Sequence, residues 1–206
     1  TIRGITGVFA FNEKFGSAVA VSSAMRRIVI GAHGSSADFI FRRGRVYVYD
    51  FDQETADWTR TAELLGASSD EALGSAVDIS PSGTFVIAGS PSIGAGFATI
   101  YRHNPFGWVS IATISGSKDG EKMGASVAFL SDKFVAAGAP SYDSGRGRVL
   151  VFERDDASDS FQQLGPAFIG GPGERIGEIL AGGESSSVAT IIVGTSTGLI
   201  KQFSFD

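Results

Sequence analysis

Short apolar runs separated by glycine-rich turns make up almost the whole chain. Runs such as RVYVYDF (45–51) and RVLVFER (148–154) alternate in polarity or are rich in β-branched residues, which is typical of strands in a packed sheet. The glycines between them allow positive φ angles or close approach of two backbones. No segment combines helical periodicity with capping residues, so the pattern predicts an all-β chain with essentially no helix.

A four-residue element, Glu-x-apolar-Gly, recurs at intervals of roughly 50 to 58 residues, a period that indicates stacked supersecondary units. The four copies are Glu13–Gly16, Glu71–Gly74, Glu121–Gly124 and Glu174–Gly177. Each copy is followed by a strand-like run (A), and then by a second run (B) that ends in a glycine turn. These turns begin at Gly31, Gly89, Gly138 and Gly194. The repeat therefore predicts four similar β units.

A third run (C) in each unit begins at a glycine and carries an aromatic residue five positions later. The glycines are Gly44, Gly96, Gly147 and Gly198, and the aromatic residues are Tyr49, Tyr101, Phe152 and Phe203. A stacking platform for sugars or bases is one interpretation. Because the spacing recurs in every unit, we expect these rings to pack in the core between adjacent units.

A fourth run (D) follows in the first three units, but the fourth unit ends after its C run. The segment TIRGITGVFAF stands before the first motif, where a D run precedes the other motifs. We therefore expect residues 1–10 to pair with residues 198–206, so that no sheet edge stays open. The unit boundaries predicted in this way are about 11–68, 69–117, 118–171, and 172–206 together with 1–10.

The Phe15-Gly16 and Gly138-Ala139-Pro140 elements, with the strands between them, resemble the FG-GAP repeat. That repeat builds the β-propeller of integrin α subunits and of many secreted or surface proteins. The resemblance covers nearly the whole chain and implies a single β-propeller domain, residues 1–206, of four four-stranded blades closed by the N-terminal strand. It also implies a secreted, cell-surface or organelle-lumen location.

Integrin propellers have seven blades, whereas this chain supplies four. Three arrangements follow: a small closed ring, half of an eight-bladed dimer, or a piece of a longer propeller. We favour the closed ring because the strand count balances. Many FG-GAP repeats carry an Asp-rich calcium loop between strands A and B. Here only Asp132 lies in such a connection, so we expect no metal site and no cofactor.

The charge and composition narrow the range of partners. The net charge is −5 at pH 7, and neither a basic patch nor a basic helix is visible, so we expect no nucleic-acid partner. No apolar run approaches the ~18 residues of a membrane span. The chain has no cysteine, which excludes disulfides and thiolate metal sites.

The first B-to-C connection, residues 32–44, is longer than its equivalents. It contains the cluster Phe39, Ile40, Phe41, Arg42 and Arg43. Aromatic and arginine side chains in a surface loop often anchor a protein partner. Alternatively, the insertion folds back to cover one end of the ring. We hypothesise that this loop is a partner-binding site.

Other candidate sites have simpler structural explanations. The motif glutamates, one in each unit, could form a ring of carboxylates around a cation, but we expect each to accept backbone hydrogen bonds in its turn. His33 and His103 lie in different connections and should not form a pair. Asp155, Asp156 and Asp159 are interpreted as a solvated turn. Trp58 and Trp108 begin D runs, where packing explains them.

No catalytic motif is present: Gly-x-Ser-x-Gly, His-Glu-x-x-His and a phosphate-binding glycine loop are all missing from the sequence. We therefore expect a non-catalytic protein–protein interaction or structural module, in adhesion or as an assembly subunit. A carbohydrate-binding, lectin-like propeller is the alternative, with a glycan as its ligand. A hydrolase with acidic catalysts has the least support.

Overall fold

The computed structural model describes residues 2, 13–22, 24–185 and 188–205. Nearly all of its regular structure is β-strand, so the prediction of an all-β chain is confirmed. The strands are β1 (Ala18–Ser22), β2 (Arg27–Gly31), β3 (Arg45–Asp52), β4 (Asp57–Leu65), β5 (Ala76–Ile79), β6 (Phe85–Ser90), β7 (Phe97–Asn104), β8 (Gly107–Ser115), β9 (Ser126–Phe129), β10 (Phe134–Ala139), β11 (Arg148–Arg154), β12 (Phe161–Gln163), β13 (Phe168–Ile169), β14 (Ile179–Ser185), β15 (Val188–Gly194) and β16 (Ile200–Phe205). A four-residue turn, α1 (Tyr142–Gly145), lies between β10 and β11, and it is not a right-handed helix because Asp143, Ser144 and Gly145 have positive φ.

The strands form four antiparallel sheets, one for each repeat unit. In chain order they are β1–β4, β5–β8, β9–β13 and β14–β16, and strands adjacent in the chain are neighbours in each of the first two sheets and in the last. The third D run is split into β12 and β13, which both pair with β11. Gly165 has φ +66° and Pro166 lacks an amide hydrogen, so the ladder is interrupted between the two strands.

The fourth sheet has three strands among the described residues. The predicted pairing of residues 1–10 with residues 198–206 falls on a segment of which only Ile2 is described, so this pairing stays a prediction. The A strands of consecutive sheets are neighbours, in the order β1, β5, β9 and β14. The sheets therefore follow one another in a single series.

The Glu-x-apolar-Gly motif joins each sheet to the one before it. The residue after the glutamate has positive φ: Lys14, Ala72, Lys122 and Arg175. The apolar residue that follows is fully buried in the second, third and fourth motifs and forms a parallel bridge with the glycine that begins the preceding C strand. The bridged pairs are Leu73 with Gly44, Met123 with Gly96, and Ile176 with Gly147.

A pair of glycines brings the backbones of neighbouring sheets into contact. A Cβ atom added to Gly31 would stand 2.1 Å from the carbonyl oxygen of Gly74, and one added to Gly89 would stand 1.9 Å from that of Gly124. The equivalent contact between the third and fourth sheets joins Gly138 to Gly177 at 2.2 Å. The motif glycine and the glycine at the end of strand B are thus two halves of one contact.

The C-strand aromatics pack where the sequence predicted. Tyr101, Phe152 and Phe203 each pack against the apolar cluster shared with the preceding sheet. Tyr49 is buried on the first sheet beside Ile30 and Tyr47. The interpretation of these residues as core is confirmed, and stacking on a ligand is not needed to explain them.

Candidate interaction surface

In the second, third and fourth motifs, the glutamate caps the turn that precedes it. The Glu71 carboxylate accepts hydrogen bonds from the backbone amides of Ala67 (2.6 Å) and Ser68 (3.0 Å). The next two motifs repeat this arrangement, with Ser117 N to Glu121 at 3.0 Å and Gly171 N to Glu174 at 2.7 Å. In the first motif, Glu13 accepts a hydrogen bond from the Tyr47 hydroxyl. The turn-building interpretation is confirmed for the second, third and fourth motifs.

Basic side chains form ion pairs with two of these motif glutamates. Burial opposes ionisation of Glu121, but hydrogen bonds from Ser117 and the charge of Arg148, 2.8 Å away, lower the pKa of this carboxyl. A hydrogen bond from Lys201 and the amide of Gly171 lower the pKa of Glu174. Both carboxylates are therefore held in the charged form by partners that also fix the turn.

Two aspartates that the sequence does not mark as structural connect the second and third sheets. Asp132 accepts hydrogen bonds from the amide (3.2 Å) and hydroxyl (2.6 Å) of Ser82. Asp78 accepts hydrogen bonds from the amides of Phe129 (2.7 Å) and Ile79 (2.8 Å). Burial raises the pKa of Asp78 to about 6, although these amide bonds oppose the shift. The polar position within the apolar run AVDI was the available signal for Asp78.

The two histidines occupy different elements of the fold, and the prediction that His103 lies in a connection was wrong. His33 is in the first B-to-C connection, and His103 lies in β7 with its ring 5.2 Å from Trp108. Burial lowers the pKa of both imidazoles. Asp159 pairs with Arg154 and with Arg102 of the preceding sheet. This contact makes Asp159 part of a junction between sheets, whereas Asp155 and Asp156 lie in the exposed turn.

Residues 38–43, here named the Phe39 loop, form a hydrogen-bonded projection at the junction of the first two sheets. Ala37 and Ile40 exchange backbone hydrogen bonds, and Gly44 N donates to Ser35 O at 3.0 Å. The Arg42 amide donates to the Ser36 hydroxyl at 2.9 Å. The backbone of the loop is therefore fixed at several points along its length.

The loop is also attached to the second motif. The carbonyl oxygens of Phe41 and Arg42 accept hydrogen bonds from the amides of Asp70 (2.9 Å) and Ala72 (3.0 Å). The Arg42 guanidinium lies 3.5 Å from the Asp70 carboxylate, and both side chains are largely exposed. These contacts hold the loop over the boundary between the two sheets and leave the outer side of the loop exposed.

Within the Phe39 loop, the aromatic side chains face solvent. Phe39 is fully exposed and has φ +62°, a conformation that bulky residues adopt rarely and at a free-energy cost. Phe41 is also exposed, and Ile40 is half-buried. A solvent-facing pair of large apolar side chains on a fixed backbone is a feature that partner binding would explain.

Arg43 differs from its neighbours because its role recurs in the third sheet. Its Nε donates to Gly66 O at 2.5 Å, and its guanidinium pairs with Asp38 at 2.9 Å. In the third sheet, Arg146 donates to Gly170 O at 2.8 Å and pairs with Asp143. Both arginines precede the glycine that begins strand C, so the Arg-Gly pair was a signal that Arg43 belongs to the repeat.

A shallow polar pocket of about 500 Å³ lies at the opposite end of the third sheet. Its lining comprises Lys133, Glu153, Arg154, Asp155, Asp156, Gln162 and Gln163. Lys133 pairs with Glu153 at 2.7 Å, and Arg154 pairs with Asp156 at 2.6 Å. The pocket offers carboxylates, amides and cations to a polar ligand but no aromatic face.

Known proteins resemble this chain in fold and not in sequence. No protein-family model matches it, and no curated protein matches it in sequence. Among solved structures it resembles Sqt1 of Saccharomyces cerevisiae, with a TM-score of 0.59 and 10% identity over 89% of this chain and 43% of that one. A protein from Lactobacillus plantarum matches with a TM-score of 0.52 and 14% identity, over 75% of this chain and 41% of that one.

These likenesses concern the fold alone, because the identities are low. The chain has a β-propeller-like fold, and it spans less than half the length of each of the two similar proteins. Among the described residues, no helix has the length and apolar character needed to cross a membrane.

Proposed function

We propose that this protein is a non-catalytic interaction or structural module, in adhesion or as an assembly subunit, that binds a protein partner through the Phe39 loop. The observation that carries the proposal is the exposure of Phe39 and Phe41 on a backbone fixed by hydrogen bonds. Because the backbone of the loop is already fixed, a partner that buries these side chains does not have to order the loop. Arg42 lies beside them and supplies a cation at the edge of the same surface.

The resemblance to FG-GAP repeats supports this proposal and a finer description of the fold. In that description four FG-GAP-like blades form the ring, and residues 1–10 complete the fourth sheet. A secreted, cell-surface or organelle-lumen location follows from the same resemblance. We expect that deleting residues 1–10 exposes the edge of β16 and causes aggregation. A truncated chain that stays soluble, with an unchanged melting temperature, would contradict this closure.

The binding proposal is tested with a partner recovered by native purification. The triple variant Phe39→Ala, Phe41→Ala and Arg42→Ala should bind that partner at least about ten-fold more weakly, because buried aromatic and arginine anchors each contribute more than ~1–2 kcal/mol. Phe106→Ala is the matched control, since Phe106 is an equally exposed aromatic residue on the second sheet.

Two outcomes would overturn the proposal. If the triple variant unfolds, the loop is a structural cover. If it folds and binds normally, the interface lies elsewhere, and the connections at 102–106 and 155–159 become the next candidates. Circular dichroism separates the first outcome from a true loss of binding.

A lectin-like function is the second candidate, and the open polar pocket beside Asp155 favours it. Gln162, Gln163 and the nearby carboxylates offer hydrogen-bond donors and acceptors of the kind that sugars require. Binding on a glycan array that is lost in Gln162→Ala but kept in the Phe39 loop variant would support this alternative over a protein partner.

A further inference from the structure

The first sheet exposes apolar residues at positions that are buried in the second. Val19 and Val21 on β1 are 64% and 67% exposed. Val77 and Ile79 follow their own motif glycine at the same distances and are 8% and 5% exposed, because they pack against the preceding sheet. The first sheet therefore exposes the apolar face that, in the second sheet, packs against the sheet before it.

The fourth sheet exposes the complementary face. Ile200 lies two residues after the glycine that begins strand C and is 76% exposed, whereas its equivalents in the three earlier sheets are all 0% exposed. Those equivalents are Val46, Ala98 and Val149. Ile179 and Ile200 both pair with Gly194, so they share a face with it, and Ile179 and Ile192 are exposed as well.

The glycine contacts lead to the same conclusion. Within the described residues, a Cβ atom added to Gly194 would contact only Ile179 of its own sheet, although its equivalents meet the motif glycine of a following sheet. A Cβ atom added to Gly16, the first motif glycine, would have no described atom within 4 Å. In the part of the chain that the structure describes, Gly16 at one end of the series and Gly194 at the other therefore lack the glycine partner that their equivalents have in a neighbouring sheet.

We propose that a second copy of this chain occupies both end faces, so that the first sheet of each copy packs on the fourth sheet of the other. The two faces are complementary because they are the two sides of a junction that the chain already forms three times. Such a head-to-tail contact closes into a ring when its rotation matches the number of copies. Two copies supply eight sheets, and β-propellers typically have about four to eight blades. In this arrangement residues 1–10 of each copy complete the fourth sheet of the other, and a ring of eight sheets from two copies replaces the ring of four sheets from one.

Mass in solution and a pair of variants test this arrangement. Light scattering should give twice the 21.4 kDa of one chain. Val19→Lys and Ile200→Glu should each reduce the mass to that of one chain, because every junction uses both faces. Phe106→Glu is the control and should leave the double mass unchanged, since Phe106 lies on the connection between β7 and β8.

Mixing the Val19→Lys and Ile200→Glu variants provides the sharpest result. A mixed pair has one junction with both natural faces and another in which the introduced lysine faces the introduced glutamate. The double mass should therefore return. A wild-type mass of one chain, or of three or more, would overturn the proposal. So would single variants that keep the double mass, or a mixture that stays at one chain, since the first and fourth sheets then do not meet between copies.

Cross-linking gives an independent readout that does not depend on disrupting the junction. The natural chain has no cysteine, so the double variant Val19→Cys and Ile179→Cys reacts with a short bismaleimide only at these positions. We expect covalent dimers on a denaturing gel, and none for Val19→Cys with Phe106→Cys. A cross-link within one chain would show that the ring closes in a single copy and would overturn the proposal.

Discussion

Gly138 and Gly194 hold the same position in the repeat but have different surroundings. Each ends a B strand, yet Gly138 lies against the backbone of Gly177 in the next sheet, whereas Gly194 lies beside Ile179 of its own sheet. The local sequence is suited to the same contact at both positions, since each is a glycine at the end of strand B. The difference shows that a residue's burial in this fold is decided by whether a neighbouring sheet is present.

The largest expected effect is that of Gly138→Ala. Its Cβ atom would stand 2.2 Å from a backbone oxygen and 2.6 Å from the Cα of Gly177, so the third and fourth sheets must separate. We expect the free energy of unfolding to fall by more than about 3 kcal/mol. Gly194→Ala, measured in the single-chain Val19→Lys variant because a second copy would cover Gly194, should change it by less than about 1 kcal/mol, since the nearest atom is 3.4 Å away. Urea unfolding of both variants checks this, and equal losses would refute the comparison.

A second prediction compares two leucines, one at a junction and one at an end of the series. Leu73 is fully buried between the first and second sheets, whereas Leu199 is mostly exposed on the fourth. Leu73→Ala should lower the free energy of unfolding by about 3–4 kcal/mol. Leu199→Ala should lower it by less than about 0.5 kcal/mol. A small effect of Leu73→Ala would mean that the junction is not part of the cooperative core.

The third prediction concerns pH and the junction between the second and third sheets. Asp78 is buried there, and its pKa is raised from 3.8 to about 6 by burial. Between these values the folded protein holds a proton that the unfolded chain has released. The Asp78 contribution to the free energy of unfolding therefore falls as pH rises from 4 to 6, by at most about 3 kcal/mol.

Asp78→Asn isolates this effect because the amide keeps an acceptor oxygen but does not titrate. The difference in unfolding free energy between variant and wild type should shift in the variant's favour as pH rises from 4 to 7. Asp132→Asn is the control, since that carboxylate joins the same two sheets. A difference that stays constant with pH for Asp78→Asn would refute the assignment.

The smallest expected effect on stability is in the Phe39 loop. Phe39→Ala removes a side chain that is already in solvent, so the free energy of unfolding should change by less than about 0.5 kcal/mol. Arg43→Ala should lower it further, because the guanidinium holds the Gly66 carbonyl. Thermal unfolding of the two variants distinguishes a residue available for binding from one that the repeat requires. Equal and large losses would mean that Phe39 has a structural role.

Sequence patterns predicted the strands and the turn-capping glutamates well, because both depend on local spacing. The third D strand was predicted as one run, but its Gly165-Pro166 pair divides it, since proline cannot donate to the ladder. The candidate site was predicted as a block of five residues. The structure distinguishes its exposed phenylalanines from Arg43, whose partner, Gly66, lies distant in sequence.

The sequence by itself determined the four-fold repeat, the all-β class and the residues that form each turn, because alternation, glycine positions and motif spacing are local properties. Only the tertiary structure decided which equivalent positions are buried. Val77 and Val19 have the same place in their units, but within the described residues a preceding sheet covers Val77 and none covers Val19. Burial in a series of sheets depends on neighbours far away in the chain, and the spacing within one unit does not specify them.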